Sequence, residues 1–123
     1  AHQCLRVFAP MIRTMHVHPA KMYAAAQKGF INATDLADYL VRKGLPFRSA
    51  YKLVGQIVAK CIAEDQVLDT LPLVEYQKFS DLFENDLYGD IALESCVAKR
   101  TSEGGTSPSS VDAQIQFVRK CLE

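Results

Sequence analysis

No run of like charge occurs in this chain: 14 basic and 14 acidic side chains are interspersed over 123 residues, and the formal net charge is zero. Nucleic acid and anionic membrane surfaces are held by concentrated positive potential, so neither partner is expected. No apolar run approaches the length that spans a bilayer, and no stretch reads as a secretory signal, which leaves the cytoplasm as the expected compartment. Alternation with the period of two that a half-buried strand requires is missing too, and no segment repeats. Metal and redox spacings are lacking as well. The four cysteines, Cys4, Cys61, Cys96 and Cys121, match no zinc ribbon, finger or redox pair. Cys4, Cys61 and Cys121 fall on apolar helical faces, where a free thiol behaves as a small hydrophobe, so reduced core cysteines are expected rather than a disulfide framework.

What is present is helical. At 13.7 kDa the chain is one domain's worth of material, or a small domain with a piece of another. Roughly two-thirds of the unfolded surface can be buried at this size, enough for a sizeable core. The clearest stretch is NATDLADYLVRKGLPFRSAYKLVG, Asn32 to Gly55. Asn32 suits an N-cap, and Asp35 places a carboxylate at the positive end of the first helix. Leu36, Ala37, Leu40 and Val41 form one stripe, and Arg42 and Lys43 load the last turn. Gly44 supplies a left-handed stop, and Pro46 fits the first turn of the next helix. That second helix carries Phe47, Ala50, Tyr51, Val54, Ile57, Val58 and Cys61 on one face, opposite Arg48, Lys52, Gln56 and Lys60.

Around this unit the pattern is less regular. From Gln3 to Met15 apolar residues occupy most of the circumference of a helix, which predicts burial on nearly all sides. Pro10 lies inside it and predicts a bend or break, at about 3 kcal/mol unless packing compensates. A short helix from His18 and Pro19 to Lys28 closes at Gly29. Asp65 to Leu73 reads as a connector, followed by a short helix from Val74 to Phe79. Leu82, Phe83, Leu87 and Tyr88 are too apolar for an exposed loop and should lie on the core. Asp90 suits the cap of a helix through Ala98, and Ser107 and Pro108 open a last amphipathic helix bearing Val111, Ile115, Val118 and Leu122. The fold class expected is all-α.

The Asn32 unit resembles the ATDLADYLVRKG-PFR-A signature of the argininosuccinate lyase family, within the fumarase and aspartase superfamily, at the start of that family's C-terminal domain. Two further segments extend the likeness in the expected order. LVEYQKFSDLFENDLYGDI, Leu73 to Ile91, is similar to the family's LEYQ and LFEND segments. The tail from Ser95 to Glu123 is similar to its Gly-Gly-Thr turn and closing helix. The resemblance implies a small C-terminal helical domain of six to seven helices at 32–123, preceded at 1–31 by the end of a long helix of a central bundle. It also implies a homotetrameric parent enzyme that splits argininosuccinate into arginine and fumarate by β-elimination, without a cofactor. The family's SSxMPxKxNP loop, which carries the catalytic Ser, and its YxxDLQEDK stretch do not occur here. No catalytic, substrate-binding or metal-ligating residue is therefore expected in this chain, which is read as an inactive piece of a longer lyase. A stand-alone helical interaction module and an inactive, crystallin-like homologue are the alternatives.

Individual candidates all have structural readings. SEGGTSPSS, Ser102 to Ser110, could cradle an anion at a helix N-terminus, but it lacks the Lys and spacing of a P-loop and follows no strand. His16 and His18, two apart, cannot share one helical face, and His2 stands alone, so no metal site is built. Asp35 and Asp38 could pass for paired acid and base, yet Asp35 serves a helix end and Asp38 can pair with Arg42 four residues on. Arg48 reads as a salt-bridge or interface residue. Tyr51 stands where many family members have His, and its periodicity places it on the packed face.

Overall fold

The computed structural model describes residues 2–123, so Ala1, the first residue of the expected 1–31 segment, lies outside the described residues. Among those residues there are eight α-helices and no strand: α1 (His2–Arg13), α2 (Pro19–Lys28), α3 (Ala33–Arg42), α4 (Phe47–Ala63), α5 (Leu73–Gln77), α6 (Leu87–Ile91), α7 (Leu93–Ala98) and α8 (Pro108–Leu122). A 3₁₀ turn at Leu68–Thr70 joins α4 to α5. The architecture is all-α, as the periodicity predicts.

The α3–α4 corner forms as its residues dictate. Gly44 adopts φ +98°, the Leu45 N–H donates to the Leu40 carbonyl at 3.0 Å and the Gly44 N–H to that of Val41 at 2.9 Å, a complete Schellman stop. α4 closes the same way without a glycine. Asp65 takes φ +49° while the Gln66 N–H reaches the Cys61 carbonyl at 2.8 Å. Pro46 is the N-cap rather than a helical residue, one position earlier than expected.

The core lies between α3 and α4 and is closed over by the chain from Leu68 to Ile91. Leu36, Leu40, Ile57, Cys61, Leu68, Leu71, Phe83, Leu87 and Ile91 are fully buried. Three aromatics tie the layers together: Tyr39 stacks on Phe83 with ring centroids 6.1 Å apart, and Phe83 meets Tyr76 at 5.1 Å. The phenols are satisfied, Tyr76 donating to the Leu68 carbonyl at 2.8 Å and Tyr88 to that of Leu71 at 2.7 Å. The stretch read as a connector is therefore core, because Leu68 and Leu71 fill the space under Tyr76. Leu82, Phe83, Leu87 and Tyr88 do pack inward, as expected.

Several expectations are corrected. Phe47 and Tyr51 are exposed, and the packed face of α4 is Ala50, Val54, Ile57 and Cys61. α3 covers only one side of α4, so residues at the edge of the apolar arc face outward. On α3, Tyr39 replaces Val41 in the core. Asp90 lies inside α6 rather than capping a helix, because the chain turns at Ala92 and makes two short helices from Leu87 to Ala98. α5 begins at Leu73 and leaves Val74 exposed. α1 runs unbroken through Pro10, since proline deletes only its own N–H bond while its carbonyl still accepts from the Thr14 N–H at 3.0 Å. The largest departure is burial: α1 and α2 bury no residue, and α8 buries only Ser110 near its start. Among the described residues, no element buries the apolar faces of these helices. Cys4 and Cys121 are accordingly exposed, whereas Cys61 and Cys96 are the buried thiols.

Candidate functional site

The α7–α8 loop, the one sequence candidate for an anion cradle, borders a groove of ≈ 570 Å³ lined by Thr101–Gly104 and by Ser109, Gln114, Phe117 and Val118. Several of its backbone donors are engaged within the chain. The Gly105 N–H donates to the Ser102 carbonyl at 2.8 Å and the Ser107 N–H to that of Arg100 at 3.1 Å. At the start of α8 the Ser110 N–H donates to Ser107 Oγ at 3.2 Å and the Val111 N–H to the Ser107 carbonyl at 2.9 Å. Ser107 caps as its type predicts, with Pro108 behind it. A tightly folded turn results, with the Gly105 Cα so close to the Arg100 carbonyl that a Cβ would come within 2.2 Å of it.

Asp35 is the buried charge of the molecule, 2% exposed, and Arg100 holds it through two parallel bonds of 3.1 and 2.8 Å. Burial alone would raise the Asp35 pKa. Hydrogen bonds from Arg100 and the Cys96 thiol, with the Arg100 and Lys99 charges, outweigh it and hold the carboxyl below its usual range. Asp38, its supposed partner, is exposed and does not take Arg42, which bonds Asp90 instead. Lys99 Nζ joins the same Asp90 carboxylate at 2.8 Å. Asn32 marks the α3 N-cap, but its φ of −85° and ψ of 0° turn the side chain inward, away from the helix N–H groups. There Asn32 Nδ2 donates to Asp69 Oδ1 at 2.9 Å and to the Ile91 carbonyl at 3.0 Å. Asp35 and Asn32 are thus inter-element clamps, not the local caps their positions suggest.

The remaining candidates stay apart. His2, His16 and His18 are exposed, and among the described residues no three His, Cys, Asp or Glu side chains could share a metal ion. Arg48 is exposed and forms no ion pair among the described residues. Tyr51 is exposed beside Phe47, their rings 6.1 Å apart, so the aromatic that stands for a family His faces outward.

Electrostatically, each shifted group moves away from neutrality. Burial, then Asp35, pushes the Cys96 thiol up to about 12, and burial raises Cys61. Tyr39, Tyr76 and Tyr88 rise through burial, whereas Asp86 is lowered mainly by Tyr39 and Asp90 mainly by Lys99. A catalytic acid or base is tuned toward the working pH, and a reactive thiol is tuned down. Here the buried thiols Cys61 and Cys96 move up, and the carboxyls of Asp35, Asp86 and Asp90 move down. Sequence reasoning misses the Asp35–Arg100 pair because 65 residues separate its members, and no local pattern joins them.

Comparison with known proteins places this scaffold. The family described as argininosuccinate lyase C-terminal matches residues 30–98. Among curated proteins, the argininosuccinate lyase of Acetivibrio thermocellus is 46% identical over 119 residues, covering 97% of this chain and 26% of the relative. That of Pelotomaculum thermopropionicum is 48% identical over 120 residues, covering 98% and 26%, and that of Lachnospira eligens is 44% identical over 123 residues, covering 100% and 27%. The chain thus spans about a quarter of the length of the curated relatives it matches. No helix in the structure is long and apolar enough to cross a membrane.

Proposed function

The chain belongs to the argininosuccinate lyase C-terminal family, and from that premise we propose that it works as the C-terminal part of an argininosuccinate lyase. The observation that carries the reading is the near-complete coverage of this chain by proteins of that name at 44 to 48% identity. The whole enzyme removes a proton beside a carboxylate of argininosuccinate, stabilises the carbanion through positioned donors, and expels the guanidino nitrogen to give fumarate and arginine. We assign no catalytic, substrate-binding or metal-ligating residue to this chain. Its part is architectural: residues 32–123 form the C-terminal helical domain, and residues 1–31 belong to the central bundle, where helices of a cytoplasmic homotetramer surround α1.

Two features support this division of labour. The body is self-sufficient, with its core sealed and its pKa shifts directed away from neutrality. α1 and α8 are not, since each presents an apolar face that water would otherwise meet. The test is release of fumarate from argininosuccinate, followed by its ultraviolet absorbance. Turnover is expected from the longer gene product and none from these 123 residues alone. Turnover by the pure 123-residue chain, or none by the longer product, overturns the reading.

A further inference from the structure

The outward face of α4 is the feature that neither the core nor the proposed lyase role uses. Phe47, Tyr51, Gly55, Ala59 and Ile62 follow one another at four- and three-residue spacing and are all exposed. Phe47, Tyr51 and Gly55 border a groove of ≈ 300 Å³ between α3 and α4, floored by Ala37, Val54 and Val58. Gly55 is the central residue of the helix, and a Cβ there would meet nothing within 4 Å. A glycine in a helix interior destabilises it relative to alanine, and no intramolecular contact accounts for this one.

Charge adds a polarity to that face. Arg48 and Lys52 flank its first half and form no ion pair among the described residues, whereas Arg42, Lys43, Lys60, Lys78, Lys99 and Arg100 of the same body are all paired. Past the other end stand Glu64 and Asp65, the latter exposed and unpaired among the described residues. A cationic end with large apolar residues, a bare centre and an anionic end with Ile62 together make a surface complementary to itself when reversed.

We propose that α4 is a homotypic docking helix, pairing antiparallel with the α4 of a second copy of this chain across a two-fold axis at Gly55. The interface is isologous: Arg48 of each copy faces the Ile62 to Asp65 end of the other, Lys52 lies nearer the crossing, and each Ile62 meets the groove mouth beside Phe47 and Tyr51. Gly55 lets the two backbones approach at the crossing. One helix pair buries less than the roughly 1,200 Å² typical of stable complexes, so the pairing is weak and in rapid exchange.

Disulfide trapping tests this separately from any association through α1. In a Cys4→Ser, Cys121→Ser background, Gly55→Cys should oxidise to a dimer at least ten-fold faster than Gln56→Cys, an exposed neighbour off the face. Adding Arg48→Glu should slow trapping several-fold, and adding Asp65→Arg to that variant should restore it. A urea midpoint no lower than the parent's for each variant keeps folding out of the comparison. Equal trapping at the two positions, or a Gly55→Cys chain that stays monomeric under oxidation, overturns the proposal, as does failure of the charge reversal to rescue.

Discussion

α3 and α1 each carry a regular apolar stripe and meet opposite environments. In α3, Leu36, Ala37, Tyr39 and Leu40 are buried at 0 to 2% exposure, against α4 on one side and α6 on another. In α1, Leu5, Phe8 and Ile12 recur at three- and four-residue spacing just as regularly and remain 48 to 69% exposed. Both helices are amphipathic, so periodicity does not separate them. What separates them is whether the same chain supplies the opposing surface. α3 has a Schellman corner that folds α4 back onto it and an Asp35–Arg100 pair that ties it to the chain just past α7, whereas α2 has Gln27 Nε2 on Asp69 at 3.2 Å and α1 makes no inter-element side-chain hydrogen bond among the described residues.

Removing a core aromatic sets the largest difference between the two regions. Phe83→Ala takes away the ring that bridges Tyr39 and Tyr76 at zero exposure, and the cavity plus lost transfer energy should cost about 3–5 kcal/mol. A urea denaturation series would show it as a lower midpoint at unchanged slope. A loss below about 1 kcal/mol would mean that the body is far looser than its packing implies.

Next in size is the clamp. Arg100→Gln leaves the Asp35 carboxylate buried without its cation, a change that typically costs 3–5 kcal/mol when both partners are buried. Because the Arg100 side chain is 43% exposed, water offsets part of this and about 2 kcal/mol is expected at neutral pH. The pH profile gives the sharper reading. The folded pKa of Asp35 is depressed, so its contribution is fully present above the unfolded value of about 3.9 and is lost as pH falls through the folded value. Without Arg100, its hydrogen bonds and charge no longer offset burial, so the folded pKa of Asp35 rises and protonation costs the fold less. The variant should therefore lose less stability than the parent on acidification below about pH 4. Parallel profiles would remove the clamp from the account of why the body closes.

About 1 kcal/mol is expected for Gly44→Ala, which forces a Cβ into φ +98° at the α3–α4 corner. Space is not the issue, since a Cβ there would meet nothing within 4 Å. That corner is also where the sequence was most legible. Gly44 and Ser107 act as their residue types dictate, and the α3 and α4 boundaries follow within a residue. Asn32 and Asp35 were misread because their positions at a helix start suggest caps, while the groups that capture them, Asp69, Ile91 and Arg100, lie 37, 59 and 65 residues away. Tyr51 and Phe47 were misread because an apolar arc on α4 wider than one neighbour can cover looks, in sequence, like a wholly buried face. Nothing local encodes which of two equally apolar helices will find a covering surface.

Phe8→Ser, at 55% exposure on α1, should change the stability of this chain by less than about 0.5 kcal/mol, the usual range for surface substitutions away from special features. The same change in the longer lyase proposed above should behave like a core truncation and cost about 2–5 kcal/mol, because there the helix would be enclosed. Measured side by side, the two values turn the contrast between α3 and α1 into one about partners rather than sequence. A large loss in the short chain would mean that α1 already packs on its own body in solution. A negligible loss in both would mean that its apolar face stays uncovered even in the full assembly, leaving the spacing of Leu5, Phe8 and Ile12 without a packing role.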